Sequence, residues 1–219
     1  MEPSERSACI AGATGLIGGK LVDALLADDA FGRVVTVGRR PLEKSHPKLT
    51  QVTVDFAKLD AGALPEVTDA FSTLGTTMKR AGSREAFRAV DHDAVLAFAR
   101  AVKARGALRF YVVTALGADA GSWSFYNKVK GEVEEGLRAI GFESLAILRP
   151  SLLLGERSES RPGERAAIVV SSALAPLLKH VASRPIDVGT VALALRAIAH
   201  DPPKGARVYL SGELQSLGR

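Results

Sequence analysis

Tyr126 and Lys130 are the side chains of this sequence whose types and spacing best suit proton transfer. A separation of four residues places both on one face of a helix. A free phenol has a pKa near 10 and is a poor acid at neutral pH, but a nearby ammonium can lower that pKa by roughly 1 to 3 units. The pair therefore predicts a general acid, Tyr126, beside a lysine that can also hold ribose hydroxyls of a cofactor.

A hydroxyl that holds the substrate oxygen is expected to assist this pair. Thr114 stands at the end of a predicted strand, before the helix that carries Tyr126, and is the best candidate. Ser122 and Ser124 are nearby but are expected to lie in the loop or to cap the helix. The predicted catalytic residues are Thr114, Tyr126 and Lys130, and no metal site is predicted.

A glycine-rich turn near the start of the chain predicts a phosphate site. It lies between a strand-like run and a helix-like run, with the pattern G-x-x-G-x-x-G rather than the tighter G-x-G-x-x-G. Glycine lets the backbone take positive φ and approach a pyrophosphate, and the helix N-terminus adds free N–H groups. An ordinary glycine-rich turn is the alternative. The residues predicted to bind here are Gly12, Thr14, Gly15, Leu16, Ile17 and Gly18.

The end of the second predicted strand favours NADP over NAD. An NAD site places an acid about 20 residues beyond the glycines to accept from the ribose 2′-hydroxyl, whereas this chain has Gly38, Arg39 and Arg40 there. Two guanidiniums suit a 2′-phosphate, and a carboxylate would repel it. The alternative is that one arginine, Arg40 before Pro41, simply faces solvent.

Further cofactor contacts are expected where the third and fourth predicted strands end. Asp55 and Phe56 close the third strand near the adenine edge. The fourth strand closes with small residues that let the backbone approach the ribose and diphosphate, namely Leu74, Gly75, Thr76 and Thr77. For the two threonines, a helix N-cap or a turn is the alternative.

Strand-like and helix-like stretches alternate along the chain, which is typical of a parallel sheet covered on both faces. Predicted strands lie at 8–12, 33–38, 51–55, 69–74, 109–114 and 144–149, with 207–210 as a final strand. Predicted helices lie at 16–28, 84–105, 124–140 and 188–200, and 56–67 holds at most a short helix. This pattern predicts a doubly wound, three-layer α/β/α Rossmann fold. We expect a single domain over 1–219, with a small substrate-side region at 156–205 and a candidate lid at 156–165.

Composition excludes several classes of protein. With 219 residues and 47% hydrophobic content, the chain can bury a full core. The longest apolar stretch, 166–178, is interrupted by serines and a proline and is shorter than the roughly 20 residues of a membrane span, so it predicts a core helix. The net charge of +5 comes from scattered basic residues, which argues against a nucleic-acid partner. A single cysteine, Cys9, and no signal-like N-terminus lead us to expect a cytoplasmic protein.

These motifs together resemble the short-chain dehydrogenase/reductase superfamily, in its atypical and extended branch, and within it the Tat-interacting-protein-like oxidoreductases. The resemblance covers nearly the whole chain and is carried by GATGLIGG, VGRRP, LGTTMKRAGS, GADAGSWSFYNKVKGEVE, LRPSLLLGERSESRPGE and IDVGTVALAL. It implies the catalytic hydroxyl, tyrosine and lysine roles for Thr114, Tyr126 and Lys130, and it places Pro150 and Ser151 against the nicotinamide end.

Two departures from the pattern of that superfamily bear on function. Many extended members carry a serine pair after the fifth strand, whereas this chain has Thr114 and Ala115, so one hydroxyl is available. Extended enzymes for sugar nucleotides also devote a longer C-terminal region to substrate than the stretch that follows Gly155. The second departure argues against a large nucleotide-sugar site.

The sequence therefore predicts an NADPH-dependent reductase of a carbonyl or similar group in a small molecule. The alternative is an NADP(H)-binding regulatory or protein-interaction protein with little or no catalysis, because the resemblance implies regulatory partners as well. The substrate pocket is expected at 152–154 and 157–165, where Arg157, Arg161 and Arg165 suit either an anionic ligand or a solvated loop. The sequence does not decide the oligomeric state, and both a homodimer and a monomer are compatible with it.

Overall fold

Parallel strands form the centre of the computed structural model, which describes residues 6–154 and 184–219. The strands in these ranges are β1 (Ser7–Ala11), β2 (Arg33–Gly38), β3 (Leu49–Thr53), β4 (Asp69–Ser72), β5 (Arg109–Val113), β6 (Ser144–Arg149), β7 (Leu153–Leu154), β8 (Ile186–Asp187) and β9 (Gly205–Leu210). Seven of them form one sheet in the order β3-β2-β1-β4-β5-β6-β9, and every pairing in it is parallel. β7 and β8 pair separately.

Helices connect these strands. They are α1 (Leu16–Leu26), α2 (Met78–Ala81), α3 (Arg84–Arg88), α4 (Ala94–Ala104), α5 (Phe125–Ile140), α6 (Val188–His200) and α7 (Ser211–Leu217). A π-helical segment, Ala89–Asp93, joins α3 to α4. Two 3₁₀ turns, Phe56–Lys58 and Ala61–Ala63, occupy the connection from β3 to β4.

Two separate hydrophobic cores cover the two faces of the sheet. Successive strand side chains point to opposite faces, so Ile10 of β1 joins the core under α1 and α6, while Cys9 joins the core under α4 and α5. Because both faces are buried, β1, β2, β5 and β6 are apolar at most positions. The predicted doubly wound, three-layer α/β/α fold is confirmed.

The strand order reverses between β1 and β4, and this reversal creates a crevice at the carboxyl ends of the strands. From β1 the chain winds toward β3 at one edge, and from β4 it winds toward β9 at the other. The connections that leave the carboxyl ends of β1 and β4 therefore diverge, and a crevice opens between them. The turn after β1 and the loops after β2 and β4 all border this crevice.

Element bounds differ from the sequence-based expectation where local capping intervenes. β3 ends at Thr53 because the Asp55 side chain accepts from the amide of Ala57 and starts a 3₁₀ turn. The helix expected at 84–105 is divided by the π segment. α5 ends at Gly141 in the left-handed conformation, with φ of 74°, as its position predicted. The short α2, the β7–β8 pair and α7 were not predicted.

Several expectations fall on residues 155–183 and lie outside the described residues. These are the lid at 156–165, the core helix at 166–178 and the three arginines offered as anion ligands. The single-domain organisation over 1–219 stays a prediction. In the described part of the chain, no helix has the length and apolarity needed to cross a membrane.

Candidate functional site

The turn after β1 has a shape that only glycine permits at two positions. Gly12 has φ of +90°, and a Cβ there would lie 2.6 Å from the backbone carbon of Thr73 at the end of β4. A Cβ on Gly18 would lie 2.1 Å from the carbonyl oxygen of Gly12, so α1 packs directly on the turn. The N-cap residue of α1 is Gly15, so no side chain at that position accepts a hydrogen bond from the first backbone amides of the helix. These amides suit an anion such as a dinucleotide diphosphate.

A cleft extends from this turn to the loop between β2 and β3. Its lining includes the predicted cofactor residues Gly12, Thr14, Arg39, Arg40, Phe56 and Leu74. It also includes Gly38, which precedes the two arginines, and residues that sequence reasoning missed, namely Ala13, Thr36, Val37, Pro41, Leu42, Gln51 and Val52. The mixture of apolar walls and guanidiniums fits the adenosine half of a dinucleotide, with its flat base and its charged ribose substituents.

Gln51 holds the loop that carries the two arginines. The amide of Leu42 donates to Oε1 of Gln51 at 2.6 Å, and Nε2 of Gln51 donates to the carbonyls of Leu42 at 3.2 Å and Lys44 at 3.0 Å. Arg39 and Arg40 are exposed, and neither forms an ion pair with any residue in 6–154 or 184–219. Their guanidiniums are therefore available to a phosphate. A glutamine within a strand carries no sequence signal for this role.

Of the residues predicted to bind the cofactor after β3 and β4, some line the cleft and others cap short helical turns. Asp55 is exposed and caps a 3₁₀ turn, so it does not line the cleft. Thr77 accepts from the amide of Arg80 at 3.2 Å and caps α2, which is the alternative that its sequence context left open. Thr76 donates its amide to Oδ2 of Asp91 at 2.8 Å. Gly75 lies beside Lys130, since a Cβ there would be 3.8 Å from Nζ.

The structure brings Tyr126 and Lys130 together on the first turns of α5. Lys130 is 5% exposed, and its Nζ lies 2.7 Å from Oδ1 of Asp91, a residue of the π segment that is 1% exposed. The Tyr126 ring packs against Phe87 of α3, with ring centroids 5.5 Å apart. Asp91 was missed because an aspartate in a helical stretch is typical of a solvated surface, and nothing in its sequence context indicates that it faces Lys130.

The expected lowering of the Tyr126 pKa is wrong for this arrangement. Burial raises the pKa of Tyr126, the charge of Lys130 lowers it, and the charge of Asp91 raises it again, so that the pKa lies above its ordinary value. Burial by itself would lower the pKa of Lys130, but Asp91 and Tyr126 raise it, and the lysine stays an ammonium. Tyr126 is consequently a protonated donor at neutral pH.

Thr114 lies in a buried polar cluster. Its hydroxyl donates to Oε1 of Glu134 at 2.7 Å, and a longer contact of 3.3 Å reaches the carbonyl of Leu148. Glu134 in turn accepts from Arg149, with Nη2 at 2.6 Å from Oε2 and Nε at 2.9 Å from Oε1. A hydroxyl has one proton to donate. Because that proton is engaged in the hydrogen bond to Glu134, the geometry does not support the predicted role of Thr114 in donating to a substrate oxygen.

The other residues predicted near the nicotinamide end make structural contacts. Ser151 shares a hydrogen bond with Ser211 of α7, at 2.9 Å between the hydroxyl oxygens, and contacts the carbonyl of Arg184. The carbonyl of Pro150 accepts from the amide of Leu116 at 3.0 Å. Ser122 lies in the loop, where its hydroxyl accepts from the amide of Ser124, as expected.

Comparison with known proteins supports the dinucleotide interpretation of the cleft. A family described as NAD(P)H-binding matches residues 12–194. "Protein fmp52, mitochondrial" of Emericella nidulans is 36% identical over 217 residues, which cover 92% of this chain and 93% of that protein. "Protein HTATIP2" of Rattus norvegicus is 40% identical over 164 residues, covering 73% of this chain and 67% of that protein. The resemblance to an atypical short-chain dehydrogenase/reductase group is confirmed.

Solved structures share the fold at low identity. The UDP-N-acetylglucosamine 4-epimerase from Methanobrevibacter ruminantium M1, in complex with UDP-N-acetylmuramic acid, superposes with a TM-score of 0.71 and 17% identity. The match covers 94% of this chain and 77% of the epimerase. At this identity the likeness concerns the Rossmann-like fold and leaves substrate and reaction open.

The expectation of a cytoplasmic protein is contradicted by the same comparisons. The Emericella nidulans protein and further relatives that are 32% to 34% identical over most of this chain are named mitochondrial proteins. The expectation rested on a lone cysteine and on the polar character of the first residues, and both features are equally compatible with other reducing compartments.

Proposed function

The chain belongs to the NAD(P)H-binding family that matches residues 12–194, and on that premise we propose that it is an NADPH-dependent oxidoreductase. Its substrate would be a small molecule with a carbonyl or a similarly polarised double bond. The observation that carries the proposal is the arrangement of α5, in which the Tyr126 phenol lies one helical turn from the buried Lys130 ammonium. Such a pair suits proton delivery to an oxygen that gains negative charge.

The diphosphate, the 2′-phosphate and the ribose of the proposed cofactor each have suitable residues in this chain. The glycine turn and the uncapped start of α1 would hold the diphosphate. Arg39 and Arg40 would hold the 2′-phosphate, because they are exposed at the cleft and Gly38 stands where an NAD enzyme carries an acid. A lysine ammonium has three N–H donors, and among the described residues Lys130 forms an ion pair with a single carboxylate, that of Asp91, so that it has donors for ribose hydroxyls.

The bound cofactor would supply the hydride, and the residues of this chain would manage the proton and the charge. Tyr126 would donate its hydroxyl proton to the substrate oxygen. Lys130 would stabilise the phenolate that remains, because its ammonium stays charged at the pH of the reaction. Phe87 would restrict the Tyr126 ring through their contact, which keeps the hydroxyl in one direction.

Replacement of Tyr126 by Phe tests the proposal. Loss of a general acid removes roughly 10²- to 10⁴-fold of rate, so we expect turnover of NADPH with a panel of carbonyl compounds to fall by that factor. NADPH affinity, measured by fluorescence, should stay close to that of the unaltered protein. Tyr209→Phe is the matched control, because Tyr209 lies in β9 within the core of the opposite face. Full activity in Tyr126→Phe would refute the proposal.

A second candidate function is an NADP(H)-binding regulatory or protein-interaction protein. One observation favours it, namely the hydrogen bond that the Thr114 hydroxyl donates to Glu134. Because this bond engages the hydroxyl, only two of the three predicted catalytic groups, Tyr126 and Lys130, are left for a substrate. Tight NADPH binding without turnover of any carbonyl in the panel would favour this candidate. Oxidation of NADPH by even one member of the panel, abolished in Tyr126→Phe, would favour the enzyme.

A further inference from the structure

We propose that Asp91 is a positioning residue, whose carboxylate fixes the Lys130 ammonium beside the loop after β4 and offsets the positive charge that Lys130 presents to Tyr126. This inference deepens the proposed function and rests on it for its role in a reaction. The contacts themselves concern residues of this chain alone.

Both oxygens of the Asp91 carboxylate are used by different elements. Oδ1 lies 2.7 Å from Nζ of Lys130 on α5, and Oδ2 accepts from the amide of Thr76 at 2.8 Å. The carboxylate is almost fully buried. A buried charge is strongly destabilising unless it is paired and hydrogen-bonded, and these two partners supply the ion pair and the hydrogen bond. Asp91 consequently ties α5 to a loop that borders the cleft.

The π segment gives Asp91 this position. Ala89–Asp93 interrupts an otherwise continuous helix, and π segments of this kind are frequent at functional sites because they redirect side chains. The same helical element contacts both members of the proposed pair. Phe87 packs on the Tyr126 ring at 5.5 Å, and Asp91, four residues later, pairs with Lys130. A single element thereby sets the orientation of the phenol and of the ammonium.

The charged groups around Lys130 differ in how far they are already neutralised. Asp91, Glu134 and the phenol of Tyr126 all raise the pKa of Lys130. Glu134 is engaged by the Arg149 guanidinium through two hydrogen bonds. Asp91 has Lys130 as its cationic partner, and no second ion pair of Asp91 occurs in the described ranges 6–154 and 184–219. The balance of charge next to Tyr126 therefore depends mainly on Asp91 and Lys130.

The pKa of Tyr126 reports this balance. Burial raises it, Lys130 lowers it and Asp91 raises it. Replacing Asp91 by Asn removes the negative charge but keeps a carbonyl oxygen that can accept from the Thr76 amide. Lys130 then faces Tyr126 without its counter-ion, so the phenolate becomes easier to form in the pH range where Lys130 remains an ammonium. We expect the midpoint of Tyr126 ionisation to fall by about 1 pH unit.

The experiment is a pH titration of tyrosinate ultraviolet absorbance in the full chain. The Tyr126→Phe variant identifies the contribution of Tyr126, and near-ultraviolet circular dichroism at each pH restricts the comparison to folded protein. Asp91→Asn should shift the midpoint downward. Glu134→Gln is the matched control and should leave it within a few tenths of a unit, because Arg149 already neutralises Glu134. If Asp91→Asn does not fold, Asp91→Ser keeps an acceptor and is measured in the same way.

The titration separates this inference from the proposed function. If the midpoint of Tyr126 ionisation is unchanged in folded Asp91→Asn, or shifts equally in Glu134→Gln, the proposed role of Asp91 is wrong whether or not the protein reduces a carbonyl. A downward shift supports it even if no substrate turns over. Where a substrate is found, the pH profile of kcat/KM should move in the same direction as the midpoint.

Discussion

At the scale of single residues, the two arginines after β2 carry the expected preference between cofactors. Arg39 and Arg40 line the cleft with exposed guanidiniums, and the Gln51 side chain holds the loop that follows them. Gly38 contributes no carboxylate, so a 2′-phosphate would meet two positive charges and no negative charge at this position. The proposed preference for NADP over NAD therefore rests on side-chain charge at this position.

Replacement of Arg39 or Arg40 by Ala should weaken NADPH binding selectively. A hydrogen bond to a charged group contributes about 1.5 to 3 kcal/mol, which corresponds to a dissociation constant roughly 10- to 100-fold higher. NADH lacks the 2′-phosphate, and its dissociation constant should change little. Titration of both nucleotides by fluorescence or calorimetry measures the difference.

Arg33→Ala is the control for that comparison, because Arg33 lies at the opposite end of β2 and donates to the carbonyl of Glu66. It should leave both dissociation constants unchanged. If the Arg39 and Arg40 variants lost equal affinity for NADPH and NADH, the proposed 2′-phosphate site would be wrong.

At the scale of elements, the distance between α5 and the loop before it decides where Tyr126 and Lys130 lie. Gly131, the residue after Lys130, is in contact with that loop, because a Cβ there would lie 2.1 Å from the amide nitrogen of Ala120. Backbone atoms cannot rotate away as a side chain can. The absence of a side chain at this position therefore lets α5 approach the loop.

Gly131→Ala should destabilise the fold and weaken NADPH binding. Alanine is favoured over glycine inside a helix by about 1 kcal/mol, but overlap in a packed interior typically costs about 1 to 3 kcal/mol. The overlap with Ala120 is severe, and we expect the cost of displacing the backbone to exceed the gain in helix propensity. Denaturant unfolding of the variant measures the net effect.

Gly136→Ala on the same helix provides the matched control. A Cβ there would lie 2.9 Å from Cδ1 of Leu96, the far end of a flexible side chain that can move aside. We expect this variant to be neutral or slightly stabilised. If Gly131→Ala were as stable as Gly136→Ala, the proposed close approach of α5 to its loop would be wrong.

At the scale of the whole molecule, the lone cysteine reports on the integrity of the sheet. Cys9 lies in β1, between β2 and β4, and is fully buried. Burial raises the pKa of the Cys9 thiol to about 12, and the charge of Arg33 lowers it only in part. Because the thiolate is the reactive form, the folded protein should be inert to thiol reagents. Labelling of Cys9 then requires the central strands to separate.

NADPH should slow the labelling of Cys9. A ligand that binds only the folded state stabilises it by RT ln(1 + [L]/Kd), which is about 2.7 kcal/mol at a concentration of 100 Kd. When labelling follows reversible unfolding, its rate should fall by roughly 100-fold at that concentration. The reaction is followed with a chromogenic thiol reagent, and denatured protein should release one equivalent per chain. Rapid labelling of the folded protein would show that β1 is not the protected centre of the sheet.

The fold and part of the site follow from local patterns in the sequence. The alternation of strand-like and helix-like stretches predicted the doubly wound sheet, and the helix expected at 188–200 has those bounds in the structure. Gly12 could be recognised because a turn with positive φ and a close backbone contact requires glycine. Tyr126 and Lys130 could be paired because helical spacing determines which side chains share a face. All of these depend on neighbours within a few residues.

What the tertiary structure alone decided is the chemical state of those residues. The hydroxyl of Thr114 donates to Glu134, twenty positions along the chain, and the Thr76 amide donates to Asp91, fifteen positions along. The pKa of Tyr126 is raised because burial and the charge of Asp91 outweigh the charge of Lys130. Spacing in sequence predicts which side chains share a helix face. Side chains lose water and gain partners from other elements only when the chain packs into its tertiary structure. These two effects determine which proton transfers and contacts the side chains can support.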